Sequence, residues 1–411
     1  MYEDLAKSLF FSKEAAEYLG ISTQRLNALV KEGKINPLKK SPSGTIFLKE
    51  ELDRRKEEKS IFSIVDRGGE LGMFQFDTEV KREAANYATL MNVLDMTELR
   101  LDPLFSKFSE EIDLSIPLND PSVLNKYADY FSTSPEKLVT SFKETRIAFS
   151  HLRESDEIIK RGNDDYPPLL EKTEQAPRFL YIRGNKSLLF ENRTVALVGS
   201  RKASEQAKNN TSRLTRILGL NGITIISGLA KGIDVTAHRA ALDEGFNTIA
   251  VIGTNLNQYY PIENKSVQIE IEKRGLVVSQ FSPANKTQRW FFPLRNGVMS
   301  GLSLATVIME AGETSGALKQ ADFALKQNRQ VLIPQSAFNI KGITWPMRFV
   351  KRGAEVVERP SMVLEKLAES NIFKMENNSY HQQSFDDLLS DKDSNKPVDR
   401  VRWGSISYVG D

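Results

Sequence analysis

The chain of 411 residues is roughly two to three times a usual domain length, so more than one domain and at least one sizeable core are expected. Its 56 Lys and Arg against 54 Asp and Glu leave a formal charge of +2, which excludes a histone-like polycation, and the lack of cysteine excludes disulfides, thiol nucleophiles, iron–sulfur clusters and cysteine-ligated zinc. With three histidines (His151, His238, His381) and no apolar run of membrane-spanning length, the expectation is a soluble cytoplasmic protein with no metal site, no cofactor and no membrane partner.

In chain order, residues 11–20 and 22–30 read as two helices around a glycine turn at Gly20, followed by a basic stretch through Lys39 and Lys40 and a small strand pair near 45–48. This pattern resembles the excisionase/MerR-like winged helix. The resemblance puts Thr23, Gln24, Arg25 and Asn27 toward a DNA major groove and Lys39 and Lys40 toward phosphates. A protein-interaction winged helix is the alternative, because residues 1–59 carry 12 basic against 10 acidic residues and are hardly polycationic. Residues 60–160 are polar, charged and helical, with one helix expected over 80–101 and a helix pair over 121–141; neither carries recognisable chemistry.

From 165 to 358, apolar strands alternate with helices. The runs 194–198, 223–226, 248–252, 305–309 and 330–333 have no polar face, which is the pattern of a parallel sheet covered on both sides, and predicts a Rossmann-like doubly wound α/β fold. Residues 193–358 hold 21 Lys and Arg against 12 Asp and Glu, so the basic character is concentrated here. The expected boundaries are 1–59 winged helix-turn-helix, 60–160 helical region, 161–360 Rossmann-like domain and 361–411 a partly disordered tail, with 401–409 apolar enough to dock.

In such sheets ligands bind beyond the carboxyl ends of the strands. Three loops are candidates for an anion groove there: Gly199-Ser200-Arg201, Ser227-Gly228 with Lys231, and a polar turn carrying Arg295 and Asn296. Each glycine could simply start a helix, and Asp234 could cap one or face a ligand. His238 reads as a hydrogen-bonded interior histidine, and no activated nucleophile accompanies it, so no enzyme activity is expected. The dinucleotide fingerprint is missing after Gly199.

These residues carry a resemblance to the DprA/Smf family, the DNA-processing proteins of natural transformation. It runs through Tyr166-Pro167-Pro168-Leu169-Leu170, Gly199-Ser200-Arg201, the segment from Ser227 to Asp234, Tyr260-Pro261, the segment from Trp290 to Asn296, and Ser315-Gly316-Ala317. The resemblance implies a Rossmann-like domain that binds single-stranded DNA at Gly199, Ser200, Arg201, Ser227, Gly228, Lys231, Arg295, Asn296 and Lys319, in DNA uptake, recombination or foreign-DNA handling. It also implies a RecA-type recombinase and a second copy of the chain as partners, with duplex DNA at the winged helix. This chain departs from the family pattern at Gly297, where an arginine is usual, at Gln280, where an acidic residue is usual, and over 317–320, where Lys319 is expected to restore a positive charge. The family's occasional C-terminal winged helix is not recognisable after Pro360.

Two alternatives stay open at this point. The sheet is also similar to the nucleotide-processing LOG fold group, which would make the protein an enzyme or sensor for a nucleotide derivative, although the Pro-Gly-Gly-x-Gly-Thr motif is replaced by 309–315. Within the groove reading, Arg295 could instead be a buried structural arginine paired with Glu310 or Asp234. On the winged-helix reading, deleting residues 1–59 weakens binding to duplex oligonucleotides and leaves single-strand binding largely intact; equal loss of both in an anisotropy titration would make this segment a support for the fold.

Overall fold

A computed structural model describes residues 9–19, 22–31, 35–41, 44–49, 51–53, 75–340 and 342–369. The expected glycine turn at Gly20, most of the segment joining the first two regions, and the tail from 375 onward lie outside them. The chain divides into two compact units, Met1–Met73 and Phe74–Asp411, and each is taken by itself.

In the first unit, strand β1 (Leu9–Phe11) leads into helix α1 (Ser12–Tyr18), then α2 (Thr23–Lys31) and the hairpin β2 (Lys39–Ser41) and β3 (Gly44–Leu48). The strands form an antiparallel sheet in the order β1-β3-β2. Ala15, Ala16 and Leu19 recur at helical spacing and meet Leu26 and Leu29 of the second helix over Phe47 and Leu52, which gives this unit its own small core. Gln24 and Lys39 are exposed on it.

The second unit opens with α3 (Glu79–Leu94), α4 (Glu98–Phe108), α5 (Leu124–Tyr130) and α6 (Pro135–Phe149). The single helix expected over 80–101 is two: Asp95 adopts φ 50° as a left-handed cap, and Thr97 precedes a new helix. Next come β4 (Glu157–Lys160), the short α7 (Pro168–Glu171) and β5 (Phe179–Gly184). The alternating region follows: β6 (Thr194–Gly199), α8 (Glu205–Leu220), β7 (Thr224–Ser227), α9 (Ile233–Asp243), β8 (Thr248–Val251), α10 (Lys265–Arg274), β9 (Leu276–Ser279), α11 (Phe291–Gly301), β10 (Ala305–Glu310), α12 (Gly316–Lys326), β11 (Gln330–Pro334), α13 (Trp345–Val350), β12 (Glu355–Val357) and α14 (Ser361–Glu369).

Among the described residues these strands build one sheet in the order β12-β11-β10-β6-β7-β8-β9-β5-β4. The seven from β12 to β9 are parallel neighbours, while β5 and β4 add an antiparallel edge. The expected doubly wound α/β architecture is therefore present. Side chains alternate across the sheet: Val195 and Leu197 pack under α8, α9 and α14, whereas Ala196 and Val198 face α11, α12 and α13. The helices α3 to α6 cover the antiparallel edge, where Tyr87 and Phe149 meet Phe179 and Tyr181.

That edge is also tied by charge. Arg183 on β5 makes two 2.6 Å contacts to Asp156 and one of 3.5 Å to Glu272, and both acids are buried. Replacing Arg183 with Ala leaves Asp156 buried and unpaired, and is expected to lower stability by about 3–5 kcal/mol. Arg216→Ala, which breaks an exposed pair with Glu244, is expected to cost under about 1 kcal/mol. Urea unfolding midpoints compare the two directly; equal losses would show that burial is not what gives the first pair its weight.

Candidate nucleic-acid interface

The parallel sheet places a crevice where its winding reverses. β6 has β7 on one side and β10 on the other, so the loops after β6 and β10 diverge over opposite faces, and ligands bind at such a switch point. A cavity of about 700 Å³ lies there, lined by residues 198–202 at the end of β6, by Gly312 and 314–317 after β10, by the first turns of α11, and by Lys319 and Gln320 of α12. A side chamber of about 60 Å³ shares Arg201, Tyr260, Phe292 and Arg295 with it and adds Gly228 and Lys231.

Gly199 is required by packing: a Cβ there would lie 2.5 Å from Ile233 and 2.8 Å from the Glu310 carbonyl. The Ser200 amide donates to that carbonyl at 2.7 Å, and its hydroxyl accepts the Lys202 amide at 3.1 Å. These groups shape the loop, and the cation that projects from it is Arg201. Lys202 and Arg201 are exposed, as are Arg289 and Lys319, and none of the four has a carboxylate within ion-pair distance among the described residues. Lys231 differs, since Glu263 holds its ammonium at 2.6 Å. Ser227 does not reach the cavity; it is buried and donates its hydroxyl to the Leu197 carbonyl at 2.6 Å.

Residues 292–297, expected as a polar turn, form the opening of α11 instead. Pro293 fits there because first-turn amides have no partner inside the helix. The helix carries Arg295 inward, where it is 5% exposed and donates to the Val251 carbonyl. Its guanidinium lies against Gly228, where a Cβ would come within 2.1 Å of it. Asn296 donates to the Gly316 carbonyl at 3.2 Å and so holds the start of α12. Glu310 does not pair with Arg295, because its carboxylate accepts the Ser204 amide at 3.0 Å and the Ser204 hydroxyl at 2.6 Å. Asp234, in the first turn of α9, is the nearby opposite charge.

Burial pushes Arg295 down to about 10, with Asp234 opposing the shift and Arg201 adding to it, so the guanidinium stays protonated at neutral pH. Burial raises Asp234, and Arg295 is the main influence in the other direction. His238 is an interior histidine, as expected: fully buried, with Nδ1 2.8 Å from the Thr248 hydroxyl.

The structure thus gathers Gly199, Ser200, Arg201, Arg295, Asn296 and Lys319 around one cavity and Gly228 and Lys231 around its side chamber. Gln24 and Lys39 belong to the first unit; the side chains of Arg25 and Lys40 lie outside the described residues. Three contributors carried no chemistry in the sequence reading: Lys202, Arg289 and the pair Tyr260–Phe292, whose rings lie 5.1 Å apart at the rim. Gly297, where the family pattern has a cation, does not line the cavity; a Cβ there would press against Gln175 at 2.7 Å and approach Phe323.

The sequence pattern of the family described as DNA recombination-mediator protein A matches residues 157–368. The DNA processing protein DprA of Bacillus subtilis (strain 168) is 31% identical over 231 residues, covering 56% of this chain and 77% of that protein. The protein of the same name from Streptococcus pneumoniae is 42% identical over 176 residues, covering 42% of this chain and 61% of that protein. The X-ray structure of DNA processing protein A from Streptococcus pneumoniae superposes with a TM-score of 0.57 at 27% identity, covering 73% of this chain and 99% of that one.

The buried histidine beneath this site makes a pH prediction. Burial lowers His238 to about 3, so between pH 6.5 and 3 the unfolded chain binds a proton that the native state refuses. Its contribution is complete above pH 6.5 and is lost as pH falls, with a slope approaching about 1.4 kcal/mol per pH unit. Denaturation of His238→Gln against the parent across this range should show the difference; parallel curves would mean that the histidine takes up its proton in the native state.

Proposed function

The chain belongs to the DNA recombination-mediator protein A family, and from that premise we propose that it binds single-stranded DNA along the switch-point cavity and acts by holding the strand, not by breaking a bond. The observation that carries this reading is the set of four exposed cations, Arg201, Lys202, Arg289 and Lys319, that ring the cavity without ion-pair partners. Elsewhere in this unit some exposed cations, such as Arg216, Arg274 and Arg352, are held by carboxylates, whereas others, such as Lys107, Lys172 and Lys326, have none within ion-pair distance among the described residues; what marks these four is that they line one concave space. Cations left unpaired around a concave, aromatic-rimmed space suit a polyanion whose bases need flat surfaces.

Division of labour follows from burial. Arg201, Lys202, Arg289 and Lys319 reach into solvent and attract the backbone by charge. Arg295 is fixed by its neighbours and offers its remaining donors in a set direction, so it positions one phosphate. The rings of Tyr260 and Phe292 at the rim offer a face to a base beside that phosphate. The proposal extends to the first unit, whose Gln24, Arg25, Lys39 and Lys40 are assigned to duplex DNA, and to delivery of the bound strand to a RecA-type recombinase.

A salt titration of labelled single-stranded oligonucleotide tests the reading. Affinity should fall as salt rises, and Arg201→Ala and Arg295→Ala should each reduce the slope of log affinity against log salt by roughly 0.7. Arg201→Ala should melt like the parent, whereas Arg295→Ala, which leaves Asp234 without its balancing charge, should lose about 3 kcal/mol. Salt-independent binding, or none, would overturn the proposal.

A further inference from the structure

Across the first turn of α11 from the cavity lies a second recess that the reading above leaves unused. It opens between the helical bundle and the sheet edge, with Tyr87 and Met91 of α3 on one wall, Gln280 and Phe281 after β9 on the other, and Trp290 and Leu294 at the lip. Its volume of about 40 Å³ holds water but no larger group while the lip is closed.

Three features set it apart from an ordinary packing defect. Trp290 and Leu294 are 45% and 42% exposed, so large apolar surface faces solvent at the mouth. Inside, the Tyr87 hydroxyl and the Gln280 Oε1 are buried with no hydrogen-bond partner, although Tyr87 is only 4% exposed; buried polar groups are normally satisfied. Finally, the recess and the cavity flank one short segment: Arg289, Phe292 and Pro293 line the cavity, and Trp290, Phe291 and Leu294 line the recess.

A nucleobase has two apolar faces and an edge of donors and acceptors. The recess offers a matching pair of surfaces, an aromatic lip and a polar floor. Trp290 meets Phe291 edge-on at 4.6 Å, and Phe291 lies flat on Phe281 at 3.9 Å, so the stacked pair stays in place behind the exposed indole. We propose that this recess is a second base subsite for the single strand, in which Trp290 stacks on a base adjoining the nucleotide in the main cavity, while Gln280 and Tyr87 meet that base's edge once the lip swings aside. Tyr87 and Gln280 can each donate or accept, and Glu98, whose carboxylate accepts the Arg178 amide, also lines the recess. The inference rests on the single-strand reading, because a base reaches the recess only if the backbone crosses the α11 start.

The test uses the full chain, thymidine oligonucleotides of increasing length, and a series carrying one abasic position moved along the strand. Trp290→Ala should bind the shortest binding oligonucleotides like the parent and lose roughly tenfold on longer ones, the size expected for one stacked base. One abasic position should cost the parent a similar factor and cost Trp290→Ala nothing further, and Trp290→Phe should recover most of the loss. Gln280→Ala, with Trp290 intact, should lose affinity at the same abasic-sensitive position, which keeps the test decisive if the tryptophan variant melts early. Unchanged affinity of both variants at every length, or an equal abasic penalty in parent and variant, overturns the second subsite while leaving single-strand binding in place. Absence of oligonucleotide binding by the parent removes the single-strand reading, and this inference with it.

Discussion

Arg295 carries its charge inside the protein, and much of the surrounding structure is set by what that charge requires. Burial disfavours a guanidinium unless its donors are met, and the Val251 carbonyl at the end of β8 meets one of them. The approach is so close that position 228 must lack a side chain, and Asp234 at the start of α9 supplies the opposite charge. Two strand ends and two helix starts are therefore fixed around one side chain. Asp234 and the start of α11 line the cavity together with the loops after β6 and β10.

Around this fixed centre exposed cations gather on the wall of one concave space. At the antiparallel edge, arginines 178 and 183 are met by the buried acids Glu83 and Asp156 and serve cohesion. At the switch point, lysines and arginines stand without partners, a condition that costs some self-repulsion and that a bound polyanion relieves. The same residue types thus do opposite work in the two places: cohesion where buried acids meet them, attraction where the cavity leaves them open to solvent.

The alternating segment was legible because its strands are uniformly apolar: 194–198, 248–252 and 305–309 fall within one residue of β6, β8 and β10. β4, β5, β9 and β12 are not among the expected runs, as each holds at most four apolar residues in a row, and charges such as Arg183 end the runs of β4 and β5 and are paired only by the tertiary structure. The glycine loops and Arg201 could be read from turn chemistry. The burial of Arg295 could not, because the segment Phe292-Pro-Leu-Arg reads as a turn locally and becomes helical only when α11 packs on α12 and the sheet. Ser227 looked like a donor to a ligand and instead holds two neighbouring strands together. Lys202 and Arg289 went unnoticed since an exposed cation has no sequence signal until its lack of a partner is seen.

The position of β6 and β9 in the sheet has a consequence for synthesis. Arg183 on β5 pairs with Val277 on β9, 94 residues later in the chain, and Val195 on β6 waits for Ala305 on β10, 110 residues later. At translation rates on the order of 5–20 residues per second, each seam stays open for roughly 5–20 seconds after its first strand leaves the ribosome. Until then the aromatic faces of Phe179 and Tyr181 have only the helical bundle to cover them, and β6 carries an unfilled strand edge. The cavity at the β6–β10 seam comes into being only when the second of these closures is made, so a nascent chain cannot engage its ligand early, and a prematurely terminated one never acquires the site.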